Sequence, residues 1–256
     1  METVRALRKK NNPLPKQSID HRSVGSEVLV AITSCQLYED KGWNQPLRDT
    51  WLPELRKYNW DYRFFHGRGS TPGKDIVVVD ARDDYHGSAE KANEKCKWAL
   101  KEGYPYIFLC FPDTYVCVDR LAVCGFRDFD YYGKVAQRGI GRMLDYPLGT
   151  PYCEGGPGFF LSRKAMEIFI KEPIGFHNDD CCVGESLYKK VTMGNNDNFL
   201  YTIVLDPLSG RYIHNVEGPL KTNTAITSHL SGRAGGFTGE AVYREHKAWL
   251  DSLTQK

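Results

Sequence analysis

The run Tyr106-Ile-Phe-Leu-Cys110, closed by Phe111-Pro-Asp113 and continued by Thr114-Tyr-Val-Cys-Val118, constrains the fold of this chain most. Four apolar residues in succession, Ile107 to Cys110, with no polar alternation, suit a strand covered on both faces, as strands of parallel sheets are. Pro112 ends that strand because it cannot donate to a ladder, and Asp113 is delivered at the carboxyl end. Ligands of open α/β sheets bind beyond that end, so a carboxylate there can hold a divalent cation or a sugar hydroxyl. A plain Pro-Asp turn is the competing reading.

The rest of the chain supplies the partners such a strand needs. Residues 1 to 25 are polar, basic and aperiodic, which predicts a flexible arm ahead of one domain over 26–256. Glu27-Val-Leu-Val-Ala-Ile32 predicts a second fully buried strand, ending at Thr33-Ser34. A helix is expected from Trp43 to Tyr58, with Leu47, Trp51, Leu52 and Leu55 at helical spacing around Arg48. Short strands come next at Tyr62–Phe65 and Asp75–Val79, then a helix from Ser88 to Glu102 with Ala89, Ala92, Cys96, Ala99 and Leu100 on one side and Gly103 as its stop. Strands alternating with helices predict a mainly parallel sheet joined by right-handed crossovers. Beyond Asp119 the pattern loosens: a strand at Tyr131–Ala136, a site-lining loop over Gly139–Gly158, helices at Arg163–Lys171 and Gly184–Lys190, and a terminal helix at Val242–Leu253 are expected.

Composition excludes several classes. The 34 basic and 32 acidic residues leave a formal charge of +2, too weak a field to argue for nucleic acid. No stretch approaches the ~20 apolar residues of a membrane span, and no secretory h-region opens the chain. A cytoplasmic setting is therefore expected, or the Golgi lumen if the chain is a trimmed piece of a longer protein. The eight cysteines form no CxxC pair and are too sparse for a disulfide scaffold, and Cys110 and Cys117 read as small buried hydrophobes.

Three further segments can carry chemistry. In Tyr152-Cys-Glu-Gly-Gly-Pro-Gly-Phe-Phe-Leu-Ser-Arg163, three glycines within four residues let a backbone approach a ligand closely. Neither a phosphate-binding GxxxxGK[ST] nor a GxGxxG dinucleotide fingerprint is present. His177-Asn-Asp-Asp-Cys-Cys-Val-Gly184 places two carboxylates ahead of a helix, where they serve as dipole-complementary caps or as a general base. His229, in Ile226-Thr-Ser-His229, reads by itself as a hydrogen-bonding or surface histidine.

Taken in order, these segments resemble glycosyltransferase family 31, the β-1,3-glycosyltransferases that include the Fringe proteins, over roughly residues 27 to 230. Leu47-Arg-Asp-Thr-Trp51 is similar to the family's R-x-T-W element, and Asp80-Ala-Arg-Asp-Asp-Tyr85 with Lys91 and Trp98 to its D-F-x-D-x-Y, Lys and Trp spacing. Glu154-Gly-Gly-Pro-Gly-Phe-Phe-Leu-Ser-Arg163, with Lys164 after it, resembles G-G-A-G-F/W-C-I-x-R-K, and Asn178-Asp-Asp-Cys-Cys-Val-Gly184 resembles P-D-D-C-T-V-G. The resemblance implies a GT-A fold (Rossmann-like, α/β, a mainly parallel central sheet flanked by helices), a UDP-sugar donor, a glycan or glycoprotein acceptor, Mn2+ or Mg2+ on the diphosphate, and inversion at the anomeric carbon. By position it makes Asp113 and His229 the metal ligands, and Asp180 the base in preference to Asp179. Thr33, Ser34, Arg48, Asp83 and Lys91 become candidates for the nucleotide, and Gly155 and Gly156 line the donor and acceptor cleft. One departure stands out: the family's D-D-D turn is Phe111-Pro112-Asp113 here. A metal-independent enzyme using Arg or Lys, a catalytically silent sugar- or nucleotide-binding protein, and a nucleotide-sugar hydrolase are the alternatives it leaves open.

Overall fold

The computed structural model describes residues 25–137, 149–174, 178–201, 203–205, 212–214 and 227–229. The expected arm up to residue 24, the first half of the Gly139–Gly158 loop, His177 and the terminal helix lie outside them. In chain order the strands are β1 (Val28–Thr33), β2 (Asp61–His66), β3 (Ile76–Val78), β4 (Tyr106–Cys110), β5 (Thr114–Val116), β6 (Tyr131–Gly133), β7 (Val135–Gln137), β8 (Pro151–Cys153), β9 (Phe159–Ser162), β10 (Met193–Asn195), β11 (Phe199–Tyr201), β12 (Ile203–Leu205), β13 (Tyr212–His214) and β14 (Thr227–His229). The α-helices are α1 (Gln36–Asp40), α2 (Gln45–Asp49), α3 (Ser88–Lys101), α4 (Val118–Ala122), α5 (Arg163–Phe169) and α6 (Asp179–Leu187).

The fold is α/β around a seven-stranded sheet of order β10-β6-β9-β4-β1-β2-β3. All six residues of β1 are buried, as its unbroken apolar run requires. Val28, Val30 and Ile32 enter one core with Phe64, Phe108 and Phe160, while Leu29 and Ala31 enter the other with Leu109, Leu161 and the inner faces of α3 and α5. The strand period of two thus divides one apolar run between two layers. Helix α3 lies close on its layer because the side it buries carries Ala89, Ala92, Cys96 and Ala99, small side chains that keep the backbone near the sheet.

Strands β1, β2, β3 and β4 are mutually parallel, with β2 on one side of β1 and β4 on the other. The chain runs outward from β1 through β2 to β3, then returns along α3 to β4. The strand order therefore reverses between β1 and β4, and the crevice at a parallel sheet's reversal point is where ligands bind. Strand β9 is the exception: it lies antiparallel to both β4 and β6, with Leu109 opposite Phe159. Its first residue consequently sits at the carboxyl end of β4, and the glycine-rich loop before it is carried to the crevice.

Several expected elements differ. The helix over 43–58 is instead α2 and then a 3-10 helix at Leu52–Tyr58, because Pro53 at its second position cannot donate a continuing α-helical bond. The run 114–118 is shared between β5 and the start of α4. Tyr131–Ala136 is divided at Lys134 into β6 and β7. Helix α6 begins at Asp179 rather than Gly184, so both acids lie inside its first turn. Among the described residues no helix is long and apolar enough to cross a membrane.

Glycine is required at 158 by the protein itself: φ is +86°, and a Cβ would lie 2.5 Å from Phe108 Cζ and 2.9 Å from the Leu109 carbonyl oxygen. Gly125 has a similar φ of +87° with open space around it. Gly158→Ala is expected to lower stability by about 2–4 kcal/mol in urea unfolding, and Gly125→Ala by about 1 kcal/mol, the difference reporting the clash rather than the backbone.

Candidate active site

The turn after β4 is tight: the Thr114 amide donates to the Phe111 carbonyl at 3.0 Å, and the Phe111 amide to Thr114 Oγ1 at 3.2 Å. Asp113 stands half-buried on this turn. The Thr114 hydroxyl donates in turn to the Gly156 carbonyl at 2.7 Å, fastening the glycine loop to the end of β4. One residue earlier, the Gly155 amide donates to Asp180 Oδ2 at 3.2 Å, and the Cys181 amide holds Oδ1 at 2.7 Å. A Cβ at Gly155 would stand 3.2 Å from Asp180 Cβ, so the missing side chain is what admits that carboxylate. Thr114, next in sequence to Asp113, is thereby joined to Gly156, and the adjoining Gly155 to Asp180, by two hydrogen bonds. Strand β14 completes this edge, pairing antiparallel with β5 so that His229 falls opposite Thr114, next in sequence to Asp113.

At the end of β1, Thr33 and Ser34 are buried and engaged. Ser34 donates to Asn44 Oδ1 at 2.9 Å, and its carbonyl accepts from Lys91 Nζ at 2.6 Å. Lys91 also pairs with Asp83 at 3.1 Å. Asp83 accepts from the amides of Gln36 at 2.8 Å and Gly67 at 2.5 Å and from the Ser70 hydroxyl at 2.9 Å. With Lys91 these fill the roughly four lone-pair sites of a carboxylate. Burial raises the Asp83 pKa, but the two amides, Lys91 and Ser70 outweigh it and hold the group below its ordinary value. Asp83 therefore fastens the loops after β1 and β2 to α3. Arg48 is likewise committed, to Glu39 at 2.9 Å and Asp75 at 2.8 Å, with its guanidinium 4.5 Å from the Phe64 ring centroid. Both residues hold together the loops beyond the carboxyl ends of β1 and β2.

Two buried groups at this edge, Lys95 and His66, belong to none of the sequence motifs. Lys95, fully buried, donates to the Thr33 hydroxyl, and burial pulls its pKa down to about 8 against the opposing pull of Asp179 and Cys110. The signal that marks it in the sequence is its place one turn after Lys91, on the side of α3 that buries Ala92, Cys96 and Ala99. Asp179 is buried, and desolvation, then the charge of Asp180, raise its pKa. His66, the last residue of β2, is fully buried, and neither ring nitrogen has a hydrogen-bond partner among the described residues.

The residue types brought to this edge, an aspartate at 113 and a histidine at 229 opposite Thr114 in the strand register, are donor types suited to Mn2+ or Mg2+ once further oxygen ligands are added. Among the described residues no three His, Cys, Asp or Glu side chains cluster as a complete metal site.

No protein-family model matches the sequence, and no curated protein does. Solved structures similar to the chain are glycosyltransferases. One involved in glycosylation of the major capsid of PBCV-1 aligns with a TM-score of 0.47 and 11% identity over 86% of this chain and 99% of its own. The galactosyltransferase LgtC, in complex with donor and acceptor sugar analogues, aligns with a TM-score of 0.49 and 11% identity over 86% of this chain and 95% of its own. GlyE of Streptococcus pneumoniae TIGR4 aligns at 0.42 with 8% identity over 90% of this chain and 63% of its own. At such scores the site's own residues have to carry the function.

Burial, against the smaller opposing influence of Asp83 and Glu39, pushes the His66 pKa from 6.5 to about 4. The folded chain thus binds this proton less readily than the unfolded one, so stability is full above pH 6.5 and falls as pH drops toward 4. The loss should reach about 3 kcal/mol by pH 4. His66→Phe, which introduces no unpaired nitrogen, should remove that part of the slope in urea unfolding measured from pH 7.5 to 4.5 while leaving stability at neutral pH within about 1.5 kcal/mol.

Proposed function

We propose that this protein is an inverting glycosyltransferase of GT-A type that moves a sugar from a UDP-sugar to a hydroxyl of a glycan or glycoconjugate acceptor. The observation that supports it most is the hydrogen-bonded path from the Asp113 turn through Gly156 and Gly155 to Asp180, at the strand-order reversal between β1 and β4. A carboxylate oriented by two backbone amides beside a glycine-rich loop is of the type that serves as a general base. The likeness of the ordered motifs to family 31 assigns the donor to the same edge.

In this reading Asp180 takes the proton of the acceptor hydroxyl as its oxygen bonds to the sugar C1. The C1–oxygen bond to UDP breaks on the opposite face, and the diphosphate leaves with the electron pair, inverting the anomeric carbon. Thr33, Ser34 and Lys91 shape the nucleotide end, Asp83 and Arg48 hold the surrounding loops, and Gly155 and Gly156 line the sugar. Asp113 and His229 would hold Mn2+ or Mg2+, whose chemistry when bound is to neutralise charge on the departing diphosphate. Phe111 and Pro112 stand where further acids would strengthen such a site, and this favours a second reading, a sugar-binding protein without turnover.

Incubation with a panel of UDP-sugars and acceptor glycans, with and without EDTA, should release UDP. Asp180→Asn should lower kcat by about 10²–10⁴-fold without altering the fold, and Asp113→Asn should weaken donor binding. Full turnover by Asp180→Asn would exclude it as base. Glycan binding by calorimetry with no donor binding and no UDP release would establish the second reading instead.

A further inference from the structure

Helix α3 sends two buried amines, Lys91 and Lys95, to the end of β1. Lys91 meets the Ser34 carbonyl and the Asp83 carboxylate, so its charge is compensated by contact. Lys95 donates instead to the Thr33 hydroxyl, and no carboxylate forms an ion pair with it among the described residues. A desolvated ammonium held by a neutral oxygen is costly in a core. Thr33 is the last residue of β1, on the face that Leu29 and Ala31 turn toward α3. Because Ile32 pairs with Cys110, Thr33 comes beside Phe111, the first residue past β4, at the strand-order reversal where ligands of such sheets bind. An ammonium has donors only, so Thr33 Oγ1 accepts from it and the hydroxyl proton is left to donate elsewhere. Among the described residues no group accepts that proton.

We infer that Lys95 and Thr33 form an anion-recognising pair, in which the Thr33 hydroxyl donates to a phosphate oxygen of the sugar donor and the ammonium behind it fixes the direction of that proton and supplies positive charge. Thr33 is the contact and Lys95 the positioning residue. A hydroxyl that already accepts from a cation is a stronger donor to an anion, as in other charge-assisted chains of hydrogen bonds. The turn after β4 offers one acid, Asp113, beside Phe111 and Pro112, so a cation built into α3 lessens the share of diphosphate charge that a metal there would have to meet. The inference rests on the proposed function for the identity of the ligand as a nucleoside diphosphate sugar, and on the Lys95–Thr33 hydrogen bond for its preference for an anion.

The test compares the affinity of the full chain, in Mg2+ buffer, for UDP by calorimetry and for uridine, the same base and ribose without phosphate, by ligand-observed NMR. Lys95→Met and Thr33→Val should each weaken UDP by about 10-fold or more and uridine by less than about 2-fold. The double variant should lose no more than the weaker-binding single one, because the two side chains act as one device. Thr33→Ser, which keeps the hydroxyl, should bind UDP within about 3-fold of wild type. Unchanged UDP affinity in folded Lys95→Met, equal losses for UDP and uridine, or additive losses in the double variant overturn the inference, since a purely structural lysine lowers both affinities alike or neither. Should Lys95→Met fail to fold, or uridine bind too weakly to compare, Thr33→Val against Thr33→Ser decides: UDP affinity is expected to fall in the first and not in the second, and equal affinities overturn the inference. A wild type that turns over no UDP-sugar yet binds UDP or inorganic pyrophosphate with this pattern defeats the glycosyl-transfer reading alone, whereas a wild type that binds neither defeats the inference.

Discussion

The antiparallel pairing of β9 with β4 is the constraint on which the site depends. Parallel neighbours alone would bring together only the residues just past the ends of β1 and β4, namely Thr33, Ser34 and Asp113. Because β9 runs the other way, the segment preceding it arrives at the same edge, and Gly158 permits the turn by pressing its backbone against Phe108 and the Leu109 carbonyl. The same logic operates once more at β14, whose reversal against β5 brings 229 beside the Asp113 turn. Two reversed strands thus bring three separate segments of the chain to one edge of a parallel sheet.

Hydrogen bonds then fasten these segments to one another. Thr114 has two roles at once, accepting from the Phe111 amide to tighten the turn and donating to Gly156 to seat the loop. Gly155 joins that loop to Asp180. A one-residue displacement of the glycine run would put a side chain where Asp180 stands, so the glycine-rich character of this stretch serves protein-to-protein contact at 155 and 158 before it serves any ligand.

The part of the fold legible in the sequence is local. The unbroken apolar runs of β1 and β4 and the small-residue stripe of α3 are periodic patterns that one layer of packing enforces, and they are readable within a residue or so. The link from the turn at Asp113 through the glycine loop to Asp180 is expected only through motif order, because no local pattern encodes which way β9 runs. The start of α6 is hidden because Asn178 caps by its backbone carbonyl, accepting from the Cys182 amide, with no side-chain cap bond to mark the boundary. Asp83 and Arg48 look like ligand-seeking charges in a sequence. Their partners Gln36, Gly67 and Ser70, and Glu39 and Asp75, come from other elements and appear only once the loops are folded. Lys95 is hidden for the converse reason: a lysine in an amphipathic helix is usually on the wet side, and here the buried stripe continues straight through it.

Two buried amines one helical turn apart show how differently a charge can be accommodated at one sheet edge. Lys91 is matched by direct contact with Asp83 and the Ser34 carbonyl, so it is fully engaged and its function is mechanical. Lys95 is anchored instead on a hydroxyl, and its opposite charge, Asp179, acts on it without a direct ion pair among the described residues. Burial shifts both Lys95 and Asp179 toward their neutral forms, the amine to about 8 and the carboxyl upward, as expected where desolvation exceeds attraction. Replacing such a pair with apolar side chains would commonly stabilise a core. What the lysine supplies that no apolar side chain could is the hydrogen bond that holds the Thr33 hydroxyl, and with it the end of β1, to α3.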